Sequence, residues 1–256
     1  MSDFIKAASG DLDAQRRMRA AAALSLGAGS GKRQMREYEG WSRLCAAHGS
    51  VADVIELAEV LGRRASDHVL SCQFDQAGEF QAEALVLLEQ LAHDGSEEAE
   101  IRIPALAQAC LAQSVMRARD MIRFHREQGS RFTDWPHVLA AAAGNHAAQI
   151  EIAQAALTQG LHGSIAEDEC IIWADFWSRL GALSGQLMHI SVRAGIALML
   201  SSVARNEGRT GEADAFEEEA IALLQPIAAA GDALAQRGLA LIREEADQRH
   251  AIGKEI

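Results

Sequence analysis

A short phrase recurs six times along this chain, and each copy ends in a glycine with alanine three residues before it. The six pairs are Ala7 with Gly10, Ala46 with Gly49, Ala92 with Gly95, Ala141 with Gly144, Ala182 with Gly185, and Ala228 with Gly231. Successive glycines are 39 to 49 residues apart. A fixed phrase at such intervals is typical of repeat proteins, in which each unit buries its apolar face against its neighbours.

The residues that follow each glycine predict a new helix. Glycine readily adopts the left-handed conformation that ends a helix, and a polar residue after it can cap the next one. Such residues follow five of the glycines, at Asp11, Ser50, Ser96, Asn145 and Asp232. Alanine stands four residues after four of them, at Ala14, Ala99, Ala148 and Ala235. Each phrase therefore predicts two helices joined by a tight turn, with small side chains where the helices approach closely.

Composition supports an all-α fold. Hydrophobic residues make up 49% of the chain and charged residues 23%, and only three prolines interrupt it. Predicted helices cover most of the sequence, including a long pattern from Glu97 to about His125. We therefore expect residues 1–256 to form one repeat array of about five to six helical hairpins.

Charge and cysteine usage narrow the function classes. The net charge of −12 disfavours nucleic acid or an anionic membrane as a general partner. The four cysteines are spread singly, and the histidines lack metal-ligand spacing, so neither a metal nor another cofactor is expected. The first residues lack the features of a secretory signal, and no apolar run reaches the ~18 residues of a membrane span. These features favour a cytoplasmic location.

Three segments resemble the opening of Sel1-like repeats, which are related to tetratricopeptide repeats: Gly10 to Gln15, Gly144 to Gln149, and Gly231 to Gln236. The resemblance extends unevenly over nearly the whole chain. It implies a right-handed α–α superhelix, or solenoid, that acts as a non-catalytic adaptor and binds a peptide or partner protein along a concave groove. If the same positions face inward in this chain, the candidate groove contacts are Asp13, Arg16, Gln108, Gln154, Arg237 and Glu244.

The densest aromatic group consists of Trp173, Phe176 and Trp177. Its helical spacing favours a place in the core, and the alternative is a docking or self-association patch. A glycine-rich stretch from Gly27 to Arg33 lacks the glycine and hydroxyl positions of a phosphate-binding loop, so it is interpreted as a turn between helices.

Two other functions remain as hypotheses. An all-α enzyme could assemble a pocket that no local motif reveals, and the first residues to consider for it are Glu169, Asp175 and His189. The chain could also be a structural subunit of a larger assembly. An enclosed cavity with convergent polar groups would favour the enzyme, whereas an open groove would favour the scaffold.

Overall fold

The computed structural model describes residues 2–27, 31–70, 73–108, 135–161 and 167–252. Within these ranges the chain is helical and forms no strand, which confirms the predicted all-α class. The helices of the first half (residues 2–108) are α1 Asp3–Ala8, α2 Leu12–Leu24, α3 Lys32–Ala46, α4 Val51–Leu70, α5 Phe74–His93 and α6 Glu97–Gln108. Those of the second half (residues 135–252) are α7 Trp135–Ala142, α8 His146–Leu161, α9 Glu167–Gly181, α10 Leu187–Asn206, α11 Thr210–Ala229 and α12 Ala233–Ile252, with a 3₁₀ turn at Ala182–Ser184.

The predicted turn chemistry is confirmed. All six phrase glycines have positive φ angles, between 71° and 95°. In each phrase the glycine N–H donates to the carbonyl of the alanine three residues before it, at 2.9 to 3.1 Å. In four of the five expected caps, the side chain accepts a hydrogen bond from the backbone N–H of the alanine three residues later. The Ala14 N–H, for example, donates to the Asp11 carboxylate at 2.7 Å. The recurring alanines are therefore the hydrogen-bonding and packing points of the helix ends.

Each helix packs against the next one within its half. Helix α4 continues to Leu70, and α5 begins at Phe74. Pro104 lies inside α6. The predicted helical pattern beyond Gln108, to His125, lies outside the described residues, as do residues 28–30 of the glycine-rich stretch.

The two halves are structurally equivalent. An offset of 136 residues relates α4 to α10 and α5 to α11 at both ends of each helix. The same offset relates Trp41-Ser42-Arg43-Leu44 to the identical run Trp177-Ser178-Arg179-Leu180. An offset of 134 residues relates the turn at Gly10 to the turn at Gly144. Within the described residues, the two halves therefore repeat the same pattern of six helices.

The halves meet through their first turns by reciprocal contacts. The Gln15 amide donates to the Ala142 carbonyl at 2.9 Å, and the equivalent Gln149 amide donates to the Ala8 carbonyl at 3.0 Å. A Cβ added at Gly10 would lie 2.7 Å from the Ala143 carbonyl, so these backbones approach too closely for a side chain. Such reciprocity is what an approximate two-fold axis produces. This contact joins the first of the six predicted hairpins to the fourth. In a simple solenoid, each hairpin contacts only the hairpins next to it in the sequence.

One core cluster spans both halves. It includes Trp41 and Leu44 of α3 together with Phe176, Trp177 and Leu180 of α9. The Phe176 ring packs edge-on against Trp41, with ring centroids 5.2 Å apart. The joint between the halves is therefore an apolar interior.

Helix α10 is the one described helix long and apolar enough to cross a membrane by length and composition. Its mean hydropathy is 1.5 over an 18-residue window, and 44% of that window is buried inside the molecule. It packs against α9 and α11, and its Arg193 is almost wholly buried.

Candidate functional site

An apolar groove lies between α4, α5 and α6, and we call it the α4–α6 groove. It has a volume of about 600 Å³ and is lined by Ile55, Ala58, Glu59, Gly62, Ala65, Ser66, Val69, Leu70, Gln81, Leu88, Arg102 and Leu106. The lining residues of α4 recur at three- and four-residue spacing from Ile55 to Leu70, so they form one stripe along the helix, about 22 Å long. Leu70 at its end is 84% exposed. A volume and lining of this kind fit a binding site for an apolar group.

Gly62 of α4 lines the groove and faces Leu106 of α6. A Cβ added there would lie 3.1 Å from the Leu106 Cδ1 atom, and no other heavy atom falls within 4 Å of it. In the second half the equivalent position is Leu198. Leu198 packs against the cluster that contains Ala194 and Leu224, which are equivalent to the groove residues Ala58 and Leu88. The second half thus carries a packed leucine side chain at the position where the first half has a glycine.

The end of the groove is apolar in the first half, whereas the equivalent positions in the second half are polar. Val69 and Leu70 are apolar and exposed, whereas the equivalent residues are Arg205 and Asn206. Gln81 in the wall is replaced by Glu217, whose carboxylate accepts a hydrogen bond from Arg205 at 2.8 Å. At these equivalent positions the first half therefore carries a glycine and apolar side chains, whereas the second half carries a packed leucine and an ion pair.

Polar groups on the walls of the groove are held by internal bonds. The Gln81 side-chain amide donates to the Leu106 carbonyl at 2.8 Å, which ties α5 to α6. Arg102 forms ion pairs with Glu59 of α4 and with Glu98 one turn earlier on α6, the latter at 2.9 Å. These bonds fix the walls and leave apolar surface between them.

A buried ionic cluster surrounds Glu39 on α3. Its carboxylate accepts hydrogen bonds from Arg36 at 2.7 Å and from Arg43 at 3.0 Å, and the Arg64 Nε atom lies 3.6 Å away. Arg43 also binds Glu83 of α5, at 2.5 Å. Burial disfavours the charged carboxylate, but the three guanidinium groups outweigh it and lower the pKa of Glu39 to about 2. Glu39 is therefore a fixed anion at neutral pH.

An equivalent cluster surrounds Asp175 on α9. Arg193 bridges Asp175, at 2.6 Å, and Glu219, at 2.7 Å, just as Arg43 bridges the equivalent pair Glu39 and Glu83. Arg33 of the first half reaches Asp175 at 3.2 Å, so this cluster also joins the halves. Burial opposes ionisation, yet Arg179, Arg193 and Arg33 lower the pKa of Asp175 below its ordinary value. This carboxylate is held as an anion and is poorly suited to proton transfer near neutral pH.

Two of the residues considered for an enzyme, Asp175 and His189, have different hydrogen-bond partners in the described part of the chain. Asp175 belongs to the ionic cluster, whereas the His189 Nδ1 atom lies 2.7 Å from the Ser184 hydroxyl oxygen. The Glu169 side chain lies outside the described residues. Among the residues that the structure describes, no three His, Cys, Asp or Glu side chains are grouped to hold a metal ion.

The six contacts that the sequence predicted for a concave groove lie on four different helices, α2, α6, α8 and α12. Among those whose side chains are described, only Asp13 and Arg16 come within ionic distance, at 3.9 Å. Arg16 also binds the buried carboxylate of Asp53 on α4 at 2.6 Å. Gln154, Arg237 and Glu244 are exposed on the second half. The Gln108 side chain lies outside the described residues, and its helix α6 is the one in this set that lines the α4–α6 groove.

The aromatic group lies in the core, as its helical spacing predicted. Trp173, Phe176 and Trp177 are each no more than 2% exposed. The alternative of a docking patch made of these three side chains is wrong, because they are enclosed by α3, α9 and their neighbours and present almost no surface to a partner.

Sequence reasoning missed the α4–α6 groove, because its lining looks like any apolar stripe of a core helix. The signal that could have revealed it is the repeated run Trp-Ser-Arg-Leu. This run aligns the sequences of the two halves and shows that Gly62 and Leu198 occupy equivalent positions. Comparison of this chain with protein-family models, with curated proteins and with solved structures gave no match.

Proposed function

We propose that this protein is a non-catalytic interaction scaffold that binds an apolar segment of a partner protein in the α4–α6 groove. The observation that carries the proposal is the difference between equivalent positions, Gly62 in the groove and the packed Leu198 in the second half. The groove ends in the exposed apolar side chains of Val69 and Leu70, where the second half carries Arg205 and Asn206, and this difference favours a binding role.

The polar interior supports binding over acid–base chemistry. The buried carboxylates of Glu39, Asp53 and Asp175 each pair with two or more arginines, which lower their pKa values. General acids and bases usually have pKa values near the working pH, and these groups are moved away from it. We assign both ionic clusters to the architecture that holds α3 and α9 in place.

The repeat interpretation forms part of this proposal. Each half is a series of helices joined by tight glycine turns, and we propose that these helices form Sel1-like or tetratricopeptide-like units of a short right-handed solenoid. A cytoplasmic location fits such an adaptor. The partner-binding roles of Asp13, Arg16, Gln154, Arg237 and Glu244 stay predictions, and the groove described above is the stronger candidate.

The test replaces Gly62 with the residue that the chain itself uses at the equivalent position. Gly62→Leu should place a side chain in the groove, and the Leu106 side chain has to shift to admit it, because even a Cβ at position 62 would lie 3.1 Å from the Leu106 Cδ1 atom. We expect affinity capture from native extract to recover a partner with the unaltered protein and to lose it with Gly62→Leu. The matched control is Gly195→Leu, a helical glycine whose Cβ would meet nothing within 4 Å.

A second variant protects the test against misfolding. Val69→Arg with Leu70→Asn copies Arg205 and Asn206 at exposed positions and removes the apolar end of the groove. Thermal unfolding checks that all three variants fold. The same partner recovered at the same level by folded Gly62→Leu would refute the groove as the binding site.

A further inference from the structure

We infer that the turn between α11 and α12 docks with the same turn of a second copy of this chain. This surface comprises residues 228–236, and we call it the Gly231 turn. The template for the contact is the joint between the halves, where the turns at Gly10 and Gly144 pair reciprocally. The inference concerns a different surface from the α4–α6 groove and does not depend on the proposed function.

Three of the six phrases share a signature that the other three lack. Each has a small residue at both positions between the alanine and the glycine, and each has a glutamine five residues after the glycine. The three segments are residues 7–15, 141–149 and 228–236. The other phrases have valine, glutamate or isoleucine in place of the glutamine, and each has at least one larger side chain just before the glycine. Two signature turns form the joint between the halves, so the Gly231 turn is a third copy of that surface.

The shared glutamine makes the hydrogen bonds of the joint. The Gln15 side-chain amide donates to the Ala7 carbonyl of its own turn at 3.0 Å and to the Ala142 carbonyl of the other turn at 2.9 Å. Gln149 makes the reverse pair of bonds, to its own turn and to the first turn, both at 3.0 Å. An amide group has two N–H donors, so one bond holds the side chain on its own turn and the other crosses the joint.

At the Gly231 turn only the first of these two bonds is formed. The Gln236 amide donates to the Ala228 carbonyl of its own turn at 3.0 Å, which orients the side chain as in the other two turns. Within the described residues it makes no second bond, and Gln236 is exposed, whereas Gln15 and Gln149 are wholly buried. One N–H of this amide is therefore directed by its own turn and available to a carbonyl outside the described part of the chain.

The Gly231 turn also has the small surface that the joint needs. A Cβ added at Gly10 or Gly144 would lie 2.7 Å or less from the opposite backbone, so the two turns meet through backbone and small side chains. At Gly231 an added Cβ would meet none of the described atoms within 4 Å, and Ala229 and Ala230 beside it are exposed. The same close approach is therefore open to a second chain.

The acceptor for the crossing bond is present as well. In the joint each glutamine donates to the carbonyl two residues before the opposite glycine, at Ala8 or Ala142. The equivalent carbonyl of the Gly231 turn belongs to Ala229, the last residue of α11, and the final carbonyls of a helix have no partner within it. In the dimer, Gln236 of each copy donates to the Ala229 carbonyl of the other. Each copy gives one bond and accepts one, so the contact closes at two chains.

The experiment follows the mass of the full-length protein by sedimentation velocity over about a hundredfold range of concentration, because association depends on concentration. A contact this small gives a weak dimer, so the monomer should predominate in dilute solution and the dimer should appear as the concentration rises. No species larger than the dimer should form.

Two variants remove the signature with residues that the chain itself uses at the equivalent turn, the one at Gly95. Gln236→Glu copies Glu100, and it should weaken association at least tenfold, because a carboxylate cannot donate the crossing bond and two of them would face each other across the axis. Ala229→His with Ala230→Asp places larger side chains where the backbones must meet, and it should weaken association to at least the same extent. Thermal unfolding checks that both variants fold.

The matched control is Leu234→Glu, which makes the same change in charge two residues from Gln236. Leu234 is 78% exposed, and its counterparts Asp13 and Ala147 stay exposed beside the joint, so this position lies outside the contact. Leu234→Glu should therefore dimerise as the unaltered protein does.

Several outcomes would overturn the inference. The protein could stay monomeric over the whole range, or folded Gln236→Glu could associate as tightly as the unaltered protein. Loss of the dimer in Leu234→Glu alone would assign association to exposed leucine side chains instead. Loss of the dimer in Gly62→Leu alone would assign it to the α4–α6 groove.

Discussion

At the scale of single residues, the buried carboxylates show how charge is accommodated in this interior. An ion removed from water is tolerated only when partners surround it, and Glu39 has three guanidinium groups within 3.6 Å. Removing one member of such a cluster leaves the others buried without compensation. Loss of the carboxylate should therefore cost more than the small contribution of a surface ion pair.

Replacing Glu39 with glutamine should lower the free energy of unfolding by about 3 to 5 kcal/mol at pH 7. Because the folded pKa is about 2, against an ordinary value of 4.5, the ionised carboxylate stabilises the fold above pH 4.5. That stabilisation is lost as the pH falls from 4.5 towards 2. The gap between Glu39→Gln and the unaltered protein should therefore narrow over this range, as measured by urea unfolding.

A matched variant in the first turn of α6, Glu97→Gln, provides the control, since Glu97 is exposed. Its unfolding curve should follow that of the unaltered protein at each pH. A penalty for Glu39→Gln that stays constant between pH 7 and pH 3 would show that the carboxylate acts through packing and not through charge.

At the scale of helices, the ends are set by local chemistry. Asp11 caps α2 by accepting a hydrogen bond from the Ala14 N–H at 2.7 Å, and Asn145 caps the equivalent helix α8 at 3.1 Å. Alanine at position 11 cannot accept this bond, so Asp11→Ala should lower the free energy of unfolding by about 1 kcal/mol. Denaturant unfolding at pH 7 would measure the loss.

Asp11→Asn tests the mechanism, because asparagine serves as the cap at the equivalent position. It should retain most of the stability that Asp11→Ala loses. An asparagine variant as unstable as the alanine variant would mean that the charge of Asp11 matters and the side-chain cap does not.

The sequence predicted these ends because a cap and its glycine act within a few residues. The sequence did not predict contacts between distant elements. Nothing near Arg43 in the sequence indicates that its guanidinium group binds Glu83, forty residues later. The α4–α6 groove was missed for a related reason, since Gly62 looks like an ordinary helical glycine until it is compared with Leu198. Burial of Trp173, Phe176 and Trp177 was predictable because their spacing follows one helical face.

At the scale of the whole molecule, the two halves should lose structure together, because one core joins them. Gly40 of α3 allows this contact, since a Cβ there would lie 2.5 Å from the Phe176 ring of α9. Gly40→Ala should force the ring away and cost about 1 to 3 kcal/mol through overpacking, reduced by the better helix propensity of alanine. The melting temperature should fall by several degrees.

Hydrogen exchange distinguishes this effect from damage to one helix. Protection should decrease in α9 as well as in α3, although the substitution lies only in α3. Gly195→Ala, at an exposed helical glycine, should leave protection in both helices unchanged. A loss confined to α3 would contradict the shared core as the link between the halves.

The reciprocal joint at Gly10 and Gly144 has a further consequence. Two identical subunits related by a two-fold axis must present two identical grooves, whereas covalent fusion of the halves permits asymmetry. With Gly62 on one side and Leu198 on the other, the molecule should take up a single equivalent of its partner, with a hyperbolic titration and no interaction between sites. A molecule whose halves are arranged like the subunits of a dimer would then bind as a monomer does.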